Sequence, residues 1–232
     1  MIKHFYKTII INRAVPRSGK TTITRHITQS LQSVGLQVVN HSTDDFFMND
    51  GRYCFDIKKL NEYHQRNLKN FVKDLKKGTD IVICDNTNLQ PWQTEPYTKN
   101  ARKYGYKIIF LNLTPRELHK HVQAQLVTPE KPDAHGVPEE RLAEFIKDFN
   151  TYNSLLDKKS PINRKRHFHY RWDDTTLSPI AVGTAQHFDL DEVITIEPHE
   201  YHQAKVNIGP RFLNSITFQQ KKSIQSGKTH IL

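Results

Sequence analysis

Apolar and polar positions along the first two thirds of this chain switch repeatedly between strand-like and helix-like spacing. The run Thr8–Ile11 predicts a strand. Ile23, Ile27 and Leu31 then repeat at helical spacing over about 20–33, and Gly35 stands where a helix C-cap belongs. Gln37–Asn40 predicts a second short strand. Asp56 opens a helix through Ile57, Leu60, Leu68, Phe71, Val72 and Leu75, and Gly78 stops it. Ile81–Cys84 is apolar at consecutive positions, as in a strand buried on both faces. Pro91 suits the first turn of the next helix, which Gly105 ends. Lys107–Leu113 is another strand, and Thr114 and Pro115 predict the cap and first position of a helix over 115–126. Thr128–Pro138 is polar and rich in proline, hence a loop. Glu139–Leu156 predicts a long helix with Leu142, Phe145, Ile146, Phe149 and Leu155 on its apolar side.

Alternation of this kind predicts an α/β fold: a parallel sheet with helices on both faces, in three layers. The pattern stops near residue 157. Beyond it only His167–Trp172 and Val193–Ile196 look strand-like, and Pro161, Pro179, Pro198 and Pro210 interrupt the rest. The chain therefore divides into a domain over 1–157 and a small C-terminal extension over 158–232, which either completes the same sheet or forms an appendage. The last dozen residues are polar.

Composition narrows the picture less than pattern does. The 232 residues carry a formal charge of +10, and the pI is near 9.5. Such a balance fits an acidic partner, nucleic acid or a phosphorylated ligand, or simply a soluble basic surface. Cys54 and Cys84 have no metal-ligand spacing, and Cys84, inside an apolar strand, is expected in the core. The thirteen histidines form no H-E-x-x-H or C-x-x-C type cluster and are expected on the surface. No stretch approaches the roughly 20 apolar residues of a membrane span, so no membrane partner is expected. The apolar N-terminal stretch is too short for a signal peptide, and the expected location is the cytoplasm.

Residues 13–22, RAVPRSGKTT, follow the first strand and open the first helix. Strand, loop and Gly19-Lys20-Thr21 have the layout of a phosphate-binding P-loop. The loop from Pro16 would face a polyphosphate through the backbone N–H groups of Arg17, Ser18, Gly19, Lys20, Thr21 and Thr22. Lys20 would reach the β- and γ-phosphates, and the Thr21 hydroxyl would ligate Mg²⁺. Ala14 stands where the pattern has glycine, and Arg17 adds a bulky cation within the loop. In an open parallel sheet, ligands bind beyond the carboxyl ends of the strands. Polar clusters follow each of the first three predicted strands: the P-loop, Ser42-Thr43-Asp44-Asp45, and Asp85-Asn86-Thr87-Asn88. Each cluster is also good turn and cap chemistry.

RAVPRSGKTT, STDDFF at 42–47, GRYCFD at 51–56, DNTNLQPW at 85–92 with Pro96-Tyr97, and HGVPEERL at 135–142 occur in this order. As a set they resemble the P-loop polynucleotide 5′-kinase family, nearest to the kinase domain of some eukaryotic multidomain proteins and of bacterial stand-alone relatives. The likeness covers about residues 6–156.

It implies transfer of the γ-phosphate of ATP, with Mg²⁺, to a hydroxyl, such as a 5′-hydroxyl end of RNA or DNA. Asp44 matches the family's general base, with Asp45 as the adjacent alternative, and Asp85 resembles the acidic Mg²⁺ residue. Asn86, Thr87 and Asn88 would bond the acceptor or hold the catalytic loop. Phe47 occupies the place of an acceptor-binding arginine of the phage enzymes. Lys131 aligns best with a lid cation that stabilises the transferring phosphoryl group, or is a solvated loop charge. The aromatic residues Phe46, Phe47, Tyr53 and Phe55 suit stacking or a core, Phe55 more the core. The scaffold also suits a small-molecule kinase, or a nucleotide-binding regulator with weak or no transfer. Protein partners are unspecified by the sequence.

Overall fold

A computed structural model describes residues 4–126, 136–159, 170–173, 178–181 and 192–218. Its core is a five-stranded, wholly parallel sheet. The strands are β2 (Thr8–Ala14), β3 (Val38–His41), β6 (Ile81–Cys84), β7 (Lys107–Leu113) and β10 (Glu192–Ile196), in the spatial order β10-β7-β2-β6-β3. Two-residue strands β1 (His4–Phe5) and β11 (Thr217–Phe218) pair with each other, as do β4 (Met48–Asn49) and β5 (Arg52–Tyr53), and the four-residue strands β8 (Tyr170–Asp173) and β9 (Ser178–Ala181) form a further pair.

Side chains of successive strand residues alternate between faces, and each face meets its own helices. Ile10, Ile83, Ile109 and Leu111 pack on α1 (Lys20–Gln32) and α6 (Tyr201–Ile216). Ile9, Ile11, Val82, Ile108 and Phe110 pack on α2 (Ile57–Lys77), α3 (Pro91–Lys103) and Tyr152 of α5 (Glu139–Lys159). A third, smaller cluster joins Val15 and Leu89 to Leu142 and Phe149 of α5 and to Leu118 and Val122 of α4 (Leu118–Leu126). Each buried Ile, Leu or Phe contributes about 1.5–3 kcal/mol of transfer free energy. Among the described residues no helix is long and apolar enough to cross a membrane.

Local chemistry sets the helix ends. The Asp56 side chain accepts from Lys58 N–H at the start of α2, a cap worth about 1 kcal/mol. Gly78, at φ 78°, closes the same helix in the left-handed conformation that glycine adopts without cost.

Three expectations need correction. The fourth helix begins at Leu118 rather than 115, because Thr114 N–H donates to Ile196 O and its hydroxyl to Glu197, tying it to the end of β10 instead of capping. Residues 201–216, a stretch read as interrupted by proline and given no helix, form α6. Ala204, Ile208, Phe212 and Ile216 carry its apolar face, and Gly209 lets it approach α1 so closely that a Cβ there would lie 1.9 Å from Ser30 Oγ. Histidines are not confined to the surface: His41 is 9% exposed and His121 is 0% exposed.

Candidate active site

β2, β6 and β3 are consecutive in the sheet, so the segments that follow them share one edge. That edge gathers the P-loop, Asp85 and the Asp44–Phe47 turn of 3₁₀ helix.

Ala14 lies at the end of β2, and its N–H donates to Thr87 O at 3.1 Å. Its φ is not positive, so alanine costs nothing where the loop pattern has glycine. The unusual backbone falls elsewhere: Arg17 has φ 66° and Gly19 has φ 84°. A non-glycine residue in this region is strained. Ser18 N–H closes a turn on Val15 O, while Ser18 Oγ is buried and has no hydrogen-bond partner among the described residues.

Lys20 Nζ donates to Asp85 Oδ1 at 2.8 Å and to the Asp85 carbonyl at 2.7 Å. Asn12 Nδ2 donates to the same Oδ1 at 2.7 Å, and Thr24 Oγ1 stands 3.5 Å from it. Asp85 is thus a buried carboxylate, 3% exposed, ringed by donors. Thr21 lies on the first turn of α1, exposed. A hydroxyl and a carboxylate are hard oxygen donors of the kind Mg²⁺ selects. The orphaned Ser18 hydroxyl beside them is the kind of group a phosphate oxygen satisfies. The residues present therefore fit Mg²⁺ with a polyphosphate. No group of three or more His, Cys, Asp or Glu that would hold a metal unaided occurs among the described residues.

Asp44 and Asp45 have different surroundings. Tyr53 Oη donates to Asp44 Oδ1 at 3.3 Å. Partial burial, then the charges of Asp85 and Asp44, push the Asp45 carboxyl above the usual range, and Lys20 opposes them. Asp45 therefore shares the field of the P-loop lysine. Burial also pushes the Tyr53 hydroxyl up, helped by Asp44.

The remaining predicted acceptor contacts are turned to internal work. Asn86 Oδ1 accepts from Thr43 N–H at 2.9 Å, fixing the Asp44 turn to the end of β6. Asn88, 2% exposed at φ 51°, donates to Asn12 O at 2.8 Å. Thr87 uses its carbonyl on Ala14. Phe47 is 2% exposed and touches Tyr53, Phe55 and Tyr63, so it is the core of the aromatic group, whereas Phe55 is 55% exposed. The expectation for those two rings is reversed. Lys131 lies outside the described residues.

Sequence reasoning missed three residues that brace the loop. Arg13 is wholly buried; its Nε donates to Asn88 O at 3.1 Å, and its Nη1 donates to Asn112 at 3.0 Å and Asn153 at 2.7 Å. Its guanidinium lies 3.9 Å from the Tyr152 ring centroid, and burial lowers its pKa to about 10. His121 Nε2 accepts from Arg116 N–H at 3.1 Å, so its Nδ1 carries the proton and donates to Pro16 O, also at 3.1 Å. Burial holds this imidazole below its ordinary pKa, Pro16 opposes the shift and Arg116 adds to it. Tyr201, at the start of α6, donates to Gly19 O at 3.0 Å and is also hydrogen-bonded by Thr22. The apolar neighbours Leu118 and Val122 were the available signal for His121; Arg13 and Tyr201 offered none. A concavity of about 110 Å³ lies on α6, lined by Ile196, Gln203, Asn207 and Arg211.

Comparison with known proteins bears on the family and the fold. The family model described as "AAA domain" matches residues 14–151. NEDD4-binding protein 2 of Homo sapiens is 30% identical over 229 residues, 97% of this chain, which spans only 12% of that protein's length. The fold is that of P-loop kinases. Kti12 of Chaetomium thermophilum, solved with ADP-AlF3, superposes with a TM-score of 0.54 at 13% identity, covering 90% of this chain and 98% of that one. A chain of the Pnkp1/Rnl/Hen1 RNA repair complex gives 0.53 at 17% identity, covering 78% of this chain and 51% of that one.

Proposed function

This chain belongs to the AAA domain family, and on that footing we propose that it is an ATP-dependent phosphotransferase acting on a 5′-hydroxyl of a polynucleotide or nucleotide. The observation that carries the proposal is the convergence of Lys20, Asp85 and the Asp44-Asp45 pair beyond three adjacent strands. Phosphoryl transfer is mostly positioning and charge stabilisation, and these are the parts it needs.

The N–H groups from Arg17 to Thr22 and the start of α1 cradle the polyphosphate. Lys20 leaves Asp85 for the β- and γ-phosphate oxygens. Thr21 and Asp85 would hold Mg²⁺, which neutralises developing phosphate charge. Asp44, oriented by Tyr53, accepts the proton of the acceptor hydroxyl. The acceptor oxygen bonds the γ-phosphorus as its bond to the bridging oxygen breaks, and ADP leaves. Asn86 keeps the Asp44 turn against β6, so the base stays at a fixed distance from the cradle.

Incubation with Mg²⁺ and γ-labelled ATP, against 5′-hydroxyl RNA, 5′-hydroxyl DNA and a metabolite pool, tests the proposal. Label on oligonucleotide that vanishes in Asp44→Ala supports it. Label confined to metabolites other than nucleosides and nucleotides, or nucleotide binding without transfer, overturns it.

A further inference from the structure

Helix α2 leads away from the Asp44 turn, and its charge is distributed with unusual regularity. Its 21 residues hold seven cations, Lys58, Lys59, Arg66, Lys69, Lys73, Lys76 and Lys77, against two carboxylates, Glu62 and Asp74. At 3.6 residues per turn all seven cations fall within about 100° of arc. The opposite side carries Asn67, Phe71 and Leu75, buried against the sheet and α3. Every one of the seven cationic residues is exposed.

This stripe is poorly neutralised. Asp74 serves His41 at 3.0 Å and Lys77 at 2.8 Å. Glu62 reaches Arg66 only at 3.8 Å, and both are more than half exposed. From Arg66 onward the stripe runs Arg66, Lys69, Lys73, Lys76, like charges three or four residues apart, a spacing that disfavours the helix. A solvated helix face normally intersperses both signs; this one accumulates one.

Where the stripe begins, the surface becomes aromatic. Phe55 and Ile57 are 55% and 66% exposed. Phe55 stacks on Phe47 at 5.1 Å, and Phe47 in turn touches Tyr53, whose hydroxyl holds Asp44. The Arg66 guanidinium lies 4.9 Å over Phe46, extending the platform onto the helix. An aromatic platform beside a continuous cationic track is the combination that binds single-stranded nucleic acid: rings stack bases and cations follow the phosphates.

We propose that the Lys58–Lys77 stripe of α2 is a track for the phosphate backbone of a single-stranded nucleic acid, whose 5′-terminal base stacks on Phe55 and whose 5′-hydroxyl meets Asp44. The track is about 30 Å long at 1.5 Å per residue. It deepens the kinase proposal, on which it rests, by making the acceptor a polymer and not a mononucleotide.

The test is binding of a fluorescent single-stranded oligonucleotide, long enough to run the length of α2, followed by anisotropy across a salt series. The triple variant Arg66→Glu, Lys69→Glu, Lys73→Glu is compared with wild type and with a control, Lys99→Glu with Lys103→Glu on α3. The stripe variant weakens binding at least tenfold. Its salt slope falls by about 2, at roughly 0.7 for each single-strand phosphate that a side chain no longer neutralises, and the control stays near wild type. Phe55→Ala weakens binding severalfold without changing the slope. Arg66→Gln, Lys69→Gln, Lys73→Gln, a milder set whose melting temperature is checked first, weakens binding in the same direction.

Equal loss in control and stripe variants overturns the track, as does binding insensitive to salt. Stripe-dependent binding to phosphatidylserine vesicles without oligonucleotide binding also overturns it. Binding needs no phosphoryl transfer, so a stripe-dependent oligonucleotide complex with no labelled product would sink the kinase proposal and leave the track standing.

Discussion

Lys20 Nζ and Asp85 Oδ1 stand 2.8 Å apart, so the cation proposed for phosphate and the carboxylate proposed for Mg²⁺ neutralise each other. Both side chains are largely buried, at 14% and 4% exposure. Removing one partner of such a pair strands the other charge, at a cost of roughly 3 kcal/mol. Lys20→Ala is expected to lower stability by about that amount in urea unfolding and to abolish ATP binding. The double variant Lys20→Ala, Asp85→Ala is expected to be less unstable than the two single losses combined. Strict additivity in the double-mutant cycle would show that the pair carries no coupling.

The two carboxylates of the 44–47 turn are separable by kinetics. Asp44→Asn is expected to lower kcat by about 10²–10⁴, the span of a lost general base, with ATP affinity kept. Asp45→Asn is expected to alter ATP affinity more than kcat, because its carboxyl shares the field of Lys20 and Asp85. Its raised pKa means that ionising Asp45 costs the fold. The stabilising share is present below the ordinary aspartate pKa of about 3.9 and lost as pH rises through the folded value. Asp45→Asn should therefore be more stable than wild type at neutral pH, and the gap should close in acid. If Asp45→Asn instead removes transfer while Asp44→Asn spares it, the roles are exchanged.

His121 is expected to make the loop sensitive to acid. Its neutral imidazole accepts from Arg116 N–H and donates to Pro16 O; the imidazolium has no lone pair for Arg116. Because its folded pKa is lowered, the stabilisation is complete above about 6.5 and is lost as pH falls toward the folded value. Thermal melts from pH 8 downward should show wild type losing stability below that point, over and above a His121→Gln variant. Parallel curves for the two proteins would remove His121 as the source.

Gly19 tolerates no side chain. A Cβ there would lie 1.8 Å from Tyr201 Oη, and φ is 84°. Gly19→Ala is expected to destabilise by about 2 kcal/mol or more through strain and collision. Tyr201→Phe, which loses the hydroxyl's bonds to Gly19 O and Thr22 but keeps the ring, should cost about 1–2 kcal/mol. Combining Gly19→Ala with Tyr201→Ala should recover part of the loss, since the collision goes and the backbone strain stays. No recovery in calorimetry would place the whole cost in the backbone.

Strands made of consecutive β-branched and aromatic residues were legible to the residue: Ile81–Cys84 and Lys107–Leu113 fall where apolar continuity put them. Asp56 and Gly78 marked α2 because capping is local chemistry. α6 was hidden because proline outweighs period in a local view. In the fold, Ile208, Phe212 and Ile216 gain enough from α1 and the sheet to hold a helix through Pro210. At the site, Lys20, Asp44 and Asp85 were visible as polar residues after strands. The bracing by Arg13, His121 and Tyr201 was not, because each binds a backbone carbonyl far away in sequence, Asn88, Pro16 and Gly19 respectively, and such partners leave no local pattern. Phe47 and Phe55 exchanged places because spacing within a non-regular turn does not say which ring faces inward.

Tyr201 and Gly19 are 182 residues apart along the chain. At synthesis rates of roughly 5–20 residues per second, the phosphate loop leaves the ribosome on the order of ten seconds or more before the helix that closes over it. During that interval β2 has its strand neighbours β6 and β7 in turn, yet Gly19 lacks its lock, and the α1 side of the sheet is covered by α1 without its partner α6. The lock on the phosphate loop is therefore among the last parts of the described fold to set, and a nascent chain halted before α6 would leave Ile23, Ile27 and Leu31 without Ile208, Phe212 and Ile216, open on that side to whatever chaperone or aggregate arrives first.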